Sequence, residues 1–219
     1  MKKEKLNKET LIEIARDMFN KALEDFFYPP ISEPRIIYNP RGRDGFYIDP
    51  ENDWKTTLNV NLVPKNLTLD EVKMFLRFVS RHEIGHYIIC PYDLVTSILI
   101  ISAAKKVVKS YEIAMFIANF FADVIDDVER NDIFPGDPII LDAFTIRDIV
   151  NDYGNKISPL IKVLIRVKEI LWTEMNSSKI DRNKKKKVNE MFNRKIIRGS
   201  EISLTKAFGI RLNNEEEEV

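Results

Sequence analysis

The stretch that decides how this chain is read is His82-Glu83-Ile84-Gly85-His86. On a helix, residues four apart share a face, so both imidazoles can turn to one point. Zinc accepts neutral imidazoles in a tetrahedral site and leaves room for a third protein ligand and a water. Glu83, beside the pair, is placed to take a proton from that water. His82 and His86 are the only 2 histidines in the sequence. A chance pairing of this form is on the order of one in a thousand.

The flanks support a helix. Thr68-Leu69-Asp70-Glu71 has the form of a capping box. Leu69, Val72, Phe75, Leu76 and Val79 then give an apolar stripe, and His82, Glu83, His86 and Cys90 fall on or beside it. The motif is therefore expected to point into the protein. Pro91 closes the helix, and Cys90 reads as a small core residue rather than a ligand.

A further ligand must come from elsewhere. Six residues beyond His86 stands Tyr92, which excludes the metzincin arrangement. Two apolar helices follow, roughly 93–108 and 110–131. The second is apolar nearly all round from Ile113 to Val124, so it is expected to be buried. Yet Asn119, Asp123, Asp126, Asp127 and Arg130 fall within an arc of about 100° on it. Two assignments compete. In the favoured one Asp123 is the third ligand and Asp127, one turn on, hydrogen-bonds a ligand histidine. In the other, Asn119 or Asp127 meets the metal and Asp123 supports it. Asp126 and Glu129 read as hydrated acids where the helix emerges into solvent.

The histidine motif on a capped helix, followed by Asn119-Phe120-Phe121-Ala122-Asp123-Val124-Ile125-Asp126-Asp127, resembles the zincin metallopeptidases. The second element is similar to the ExxxD or NxxAD helix of gluzincin-like families. The whole looks most like the small, often prokaryotic metallopeptidases associated with von Willebrand-type domains. The resemblance covers roughly residues 56–131. It implies a zinc-dependent peptidase with His82, His86 and an acidic third ligand, and Glu83 as general base. Gluzincins proper have glutamate where this chain offers Asn119 or Asp123. Zincins also often line the cleft with the strand before the motif helix, which by analogy assigns Thr56 to Val63 to an extended substrate. Tyr87 and Tyr92 are candidates for the oxyanion by proximity alone.

The rest of the chain frames this site. Asn7 to Phe27 reads as a first helix with Leu11, Ala15, Met18, Ala22 and Phe26 in one stripe, ended by Pro29-Pro30. Arg35–Tyr38, Gly45–Ile48 and Thr56–Val63 are β-like runs between turn residues. In the last, Leu58, Val60 and Leu62 alternate with Thr57, Asn59 and Asn61, predicting one apolar and one polar face. Helices are expected from Asp137-Pro138 to Asn151 and from Ile157 to Met175. Residues 179–198 hold a run of Lys and Arg that reads first as a solvated helix face, and Glu215 to Glu218 as a disordered tail.

With 219 residues, the chain is long enough for one sizeable core. Its 34 basic and 34 acidic residues balance, which argues against a charge-driven nucleic-acid or membrane-surface binder. One cysteine suits a reducing compartment. No apolar run follows the lysines of MKKEKLNKE, so no signal peptide is expected. Leu94 to Ala104 is about half the length that spans a bilayer.

These readings predict an α+β, predominantly helical protein with a zincin-like helical core and a small antiparallel sheet near its N-terminal side. Residues 1–175 would form the metallopeptidase domain, 176–212 a basic helical extension and 213–219 the acidic tail. The expected cofactor is Zn2+ and the expected partner a protein or peptide substrate, in the cytoplasm and away from membranes. A non-catalytic module, binding protein or nucleic acid through the basic segment, is the alternative.

Overall fold

A computed structural model describes residues 6–40, 45–49, 52–64, 67–138, 141–142 and 159–175. The fold is α+β and mostly helical. In order come α1 (Lys8–Asp25), β1 (Arg35–Ile37), β2 (Phe46–Asp49), β3 (Lys55–Asn59), α2 (Leu69–Ile88), α3 (Leu94–Val107), α4 (Tyr111–Ile133) and α5 (Pro159–Met175). The chain divides into two compact units, Met1–Leu141 and Asp142–Val219. All the candidate site residues lie in the first. The basic segment, the acidic tail and most of the helix expected from Asp137 lie outside the described residues.

Helices α1 to α4 begin where their capping chemistry puts them. Asn7 accepts a hydrogen bond from the Thr10 amide at 2.8 Å and opens α1, which buries Ile14, Ala15, Met18, Phe19 and Ala22. The capping box of α2 is formed in both directions. The Thr68 amide donates to Glu71 Oε2 at 2.8 Å, and the Glu71 amide to Thr68 Oγ1 at 3.3 Å. Asp93 and Ser110 cap α3 and α4 one way only, accepting from the Thr96 and Ile113 amides. Helix α2 buries Val72, Phe75, Leu76, Val79 and Ile84 against α1 and the sheet, and its Phe75 ring meets Phe46 of β2 edge-on at 5.9 Å.

The sheet has the order β1-β3-β2. The β2–β3 pair is antiparallel, with Phe46 opposite Leu58, as expected of the whole sheet. The β1–β3 pair is parallel, Ile36 opposite Leu58, so the sheet is mixed. Its central strand is β3. That overturns two readings of Thr56–Val63. Both edges of β3 are engaged by neighbours, so it offers no free edge to a substrate; among the described residues the outer strands are β1 and β2. Nor has it a polar solvent face. Thr56, Thr57, Leu58 and Asn59 are all buried, because a central strand is covered on both sides. Asn59 is satisfied there by the Asn39 backbone, accepting from its amide at 3.0 Å and donating to its carbonyl at 3.2 Å. From Val60 to Leu62 the chain turns into a 3-10 helix, which leaves Leu62 exposed.

Helix α4 also departs from expectation. Its large apolar residues Ile113, Met115, Phe116 and Phe121 are exposed, while Ala114, Ala118, Ala122, Asp126 and Arg130 are buried. These five recur every four residues, one ridge along the helix. The reason is a close crossing with α2. A Cβ built on Gly85 would stand 2.7 Å from Asp126 Cγ, with Oδ1 nearer still. Only small or thin side chains fit in such a seam, so the bulky ones turn away.

Candidate metal centre

The seam between α2 and α4 carries the site. Helix α2 presents His82, Glu83 and His86; α4 answers with Asp123, Asp126, Asp127 and Arg130. Asp123 Oδ1 lies 3.6 Å from His82 Nε2 and 3.2 Å from His86 Nε2. Each imidazole keeps its other nitrogen occupied. His86 Nδ1 lies 2.7 Å from the carbonyl oxygen of Cys90, which can only accept, so Nδ1 carries a proton, and in the neutral ring Nε2 is the unprotonated nitrogen. His82 Nδ1 lies 3.1 Å from Asp126 Oδ2 and 3.3 Å from Asp127 Oδ1. Arg130 Nη2, a donor only, lies 3.0 Å from the same nitrogen, so His82 Nδ1 meets a donor as well as two acceptors.

Of the two assignments for α4, the structure brings Asp123 to the Nε2 side and Asp127 to the Nδ1 side. Asn119 reaches neither imidazole among the described contacts; its amide donates to Asp123 Oδ2 at 3.5 Å, a long hydrogen bond that steadies the carboxylate. The Tyr87 ring packs edge-on against Trp54, and Tyr92 is largely exposed. No hydroxyl contact with the site is seen for either among the described residues.

Asp126 is the residue sequence reasoning misplaced. It is wholly buried rather than hydrated. Arg130, also wholly buried, donates from Nε to Asp126 Oδ2 at 2.6 Å and from Nη2 to Asp127 Oδ1. One guanidinium thus holds both carboxylates that face His82 Nδ1. The signal was present in the four-residue recurrence of Ala114, Ala118, Ala122, Asp126 and Arg130, outweighed by the larger side chains between them.

A second ion-pair group braces the same turn of α2. Arg81, one residue before His82, donates from Nε to Asp25 Oδ2 at 2.7 Å and from Nη1 to Asp137. Its guanidinium lies 3.9 Å from the centroid of the Phe134 ring. Arg77, one turn earlier, makes a second pair with Asp25 at 2.6 Å. The end of α1, the middle of α2 and the segment after α4 are thereby tied together beside the histidines.

The electrostatics follow from burial and crowding. Burial alone would raise the Asp123 carboxyl, but the hydrogen bonds and charges of His82 and His86 outweigh it and hold it well below the usual carboxylate range. Burial alone would lower both imidazoles; Asp123, with Asp126 and Asp127 at His82, pushes them above their ordinary value instead. Glu83, almost fully buried, is raised by desolvation, partly offset by the two histidines. Four carboxylates therefore crowd two imidazoles and one guanidinium in a space largely removed from water. A dication balances most of that excess negative charge.

The donor set fits zinc. His82 Nε2, His86 Nε2 and Asp123 Oδ1 lie within 4.8 Å of one another. Bonds of about 2.0–2.1 Å at the tetrahedral angle imply donors about 3.3 Å apart. The two separations from Asp123, 3.2 and 3.6 Å, bracket that edge.

No protein-family model, curated protein or solved structure matches this chain.

Among the described residues, no helix is long and apolar enough to cross a membrane.

Proposed function

We propose that this protein is a zinc-dependent peptidase of zincin type, working in the cytoplasm on peptide or protein substrates. The observation that carries the reading is the position of Asp123. One of its oxygens approaches both imidazole Nε2 atoms, and His86 Nδ1 faces a carbonyl acceptor. His82, His86 and Asp123 would hold the ion. When bound, zinc polarises a carbonyl and lowers the pKa of a water toward neutrality.

The chain's own groups supply the rest. Glu83 lies in the same turn as His82, nearly buried, and no hydrogen bond engages it among the described residues. Its carboxylate is free to accept a proton from the attacking water and later to pass it to the departing amine. Desolvation raises its pKa, which brings the carboxyl closer to the range where it can do both. The Cys90 carbonyl fixes the His86 tautomer, Asp126 and Asp127 stand against His82 Nδ1, and Arg130 holds those two acids. The outer strand β2 takes the role first assigned to β3. Ile48 on β2 lines a cavity that also touches His86, so an extended peptide paired with β2 would run past the site.

Glu83→Gln tests the proposal. The amide is nearly isosteric but cannot accept the water's proton, so zinc content and unfolding should match wild type while cleavage of a mixed peptide library falls by a hundredfold or more, about the contribution of a general base. Undiminished cleavage by this variant would reject the mechanism.

A further inference from the structure

A cavity of about 170 Å³ lies against His86, between the β2–β3 connection, α3 and α4. Its walls are Ile48 and Trp54 on one side and Ile100, Ile101 and Met115 on the other, with Pro91 and the alanines of α4 between. Its lining has two neutral polar side chains, Ser97 and Asn119, and no charged group apart from the His86 imidazole. The cavity adjoins a candidate metal ligand but supplies no ligand of its own beyond His86. The metal site does not account for it.

Its walls are held at some conformational cost. Trp54 has φ of 54°, in the left-handed region that bulky residues seldom occupy. Such a conformation costs roughly 1–2 kcal/mol per residue and persists where surrounding structure requires it. At Trp54 the result is an indole set on the cavity wall and locked edge-on to the Tyr87 ring, centroids 5.3 Å apart.

We propose that this cavity is a side-chain pocket that selects substrates carrying a branched aliphatic or phenyl side chain next to the cleaved bond. The inference rests on the peptidase reading and gives it a substrate class. The size fits, since a cavity of about 150 Å³ suffices for a benzene ring. The chemistry fits too: an apolar side chain leaves water for apolar walls, whereas a carboxylate or ammonium would be stripped of water with no partner of opposite charge. Ile101 and Ser97, both on α3, set the pocket's width.

Binding tests this without turnover. Zinc-loaded protein is titrated with the hydroxamates of glycine, aspartate, leucine and phenylalanine, and Kd is read by calorimetry. Leucine and phenylalanine should bind about tenfold or more tighter than glycine, as burial of such side chains implies, and aspartate no tighter than glycine. Ile101→Ala should move the preference several-fold toward phenylalanine, and Ser97→Leu should bring leucine and phenylalanine back toward glycine. A second arm uses chelator-treated protein with N-acetyl-leucine amide and N-acetyl-glycine amide, ranked by saturation-transfer NMR, where leucine should again lead. A protein that never holds zinc would sink the peptidase reading, while this arm would still report on the pocket. Equal binding of the glycine and leucine probes in both arms, or a leucine preference untouched by Ser97→Leu, would overturn the proposal.

Discussion

Replacing Gly85 by alanine should destabilise the protein, although in an isolated helix the same change stabilises. A methyl at this position would press on the Asp126 carboxylate, 2.7 Å from Cγ and 3.0 Å from Oδ2. That carboxylate cannot swing aside cheaply, because it is fully buried and held by Arg130 Nε at 2.6 Å. Overpacking in a tight seam costs about 1–3 kcal/mol. Pulling the carboxylate off a charge-assisted hydrogen bond costs about 1.5–3 kcal/mol more. The gain in helix propensity from Gly to Ala offsets about 1 kcal/mol. The net expectation is a loss of about 1.5–5 kcal/mol, read by urea unfolding of the metal-free protein. Gly45→Ala is the control, since a Cβ there meets nothing within 4 Å; it should stay within about 0.5 kcal/mol of wild type. Disturbing Asp126 also loosens the support of His82, so zinc affinity should fall by about ten- to a hundred-fold. A Gly85→Ala protein as stable as wild type, with unchanged zinc affinity, would refute the close crossing of α2 and α4.

Other consequences follow from the same geometry. Arg130→Met should cost about 3–5 kcal/mol, because it leaves Asp126 and Asp127 buried without their cation; urea unfolding measures it, and a neutral result would show the pair to be hydrated. Burial tends to raise the Asp25 carboxyl, but the hydrogen bonds and charges of Arg77 and Arg81 outweigh it and leave the pKa lowered. A depressed folded pKa stabilises above the unfolded value of about 3.9 and loses that contribution as pH falls through the folded one. Thermal stability should therefore fall in wild type below about pH 4, and Asp25→Asn should flatten that acid limb. An identical acid limb in the variant would contradict the ion pairs.

Local signals were legible and long-range ones were not. The capping box at Thr68, the inward turn of His82, Glu83 and His86, and the approach of Asp123 and Asp127 to different imidazole nitrogens all rest on helical periodicity, which a single sequence displays. The central position of β3 depends on which strands pair, and alternation along Thr56–Val63 carries no record of that. Asp25 and Asp137 each stand 56 positions from Arg81, and neither has a local pattern that names its partner. Helix α4 is the instructive case. Its hydrophobicity suggested burial all round, yet what a helix buries in a close crossing is its small residues. The glycine of the histidine motif and the alanine row of α4 are complementary halves of one contact. Neither half alone announces it.

The central claim is that His82, His86 and Asp123 hold one zinc ion. Protein purified without chelator should contain about one zinc per chain, and X-ray absorption at the zinc edge should show two imidazole nitrogens and a carboxylate oxygen at about 2.0–2.2 Å. The count should vanish in His86→Ala, and Asp123→Ala should lose more zinc than Asp127→Ala, which removes only an imidazole's hydrogen-bond partner. Zinc retained in full by His86→Ala, or lost more readily from Asp127→Ala than from Asp123→Ala, would contradict the account.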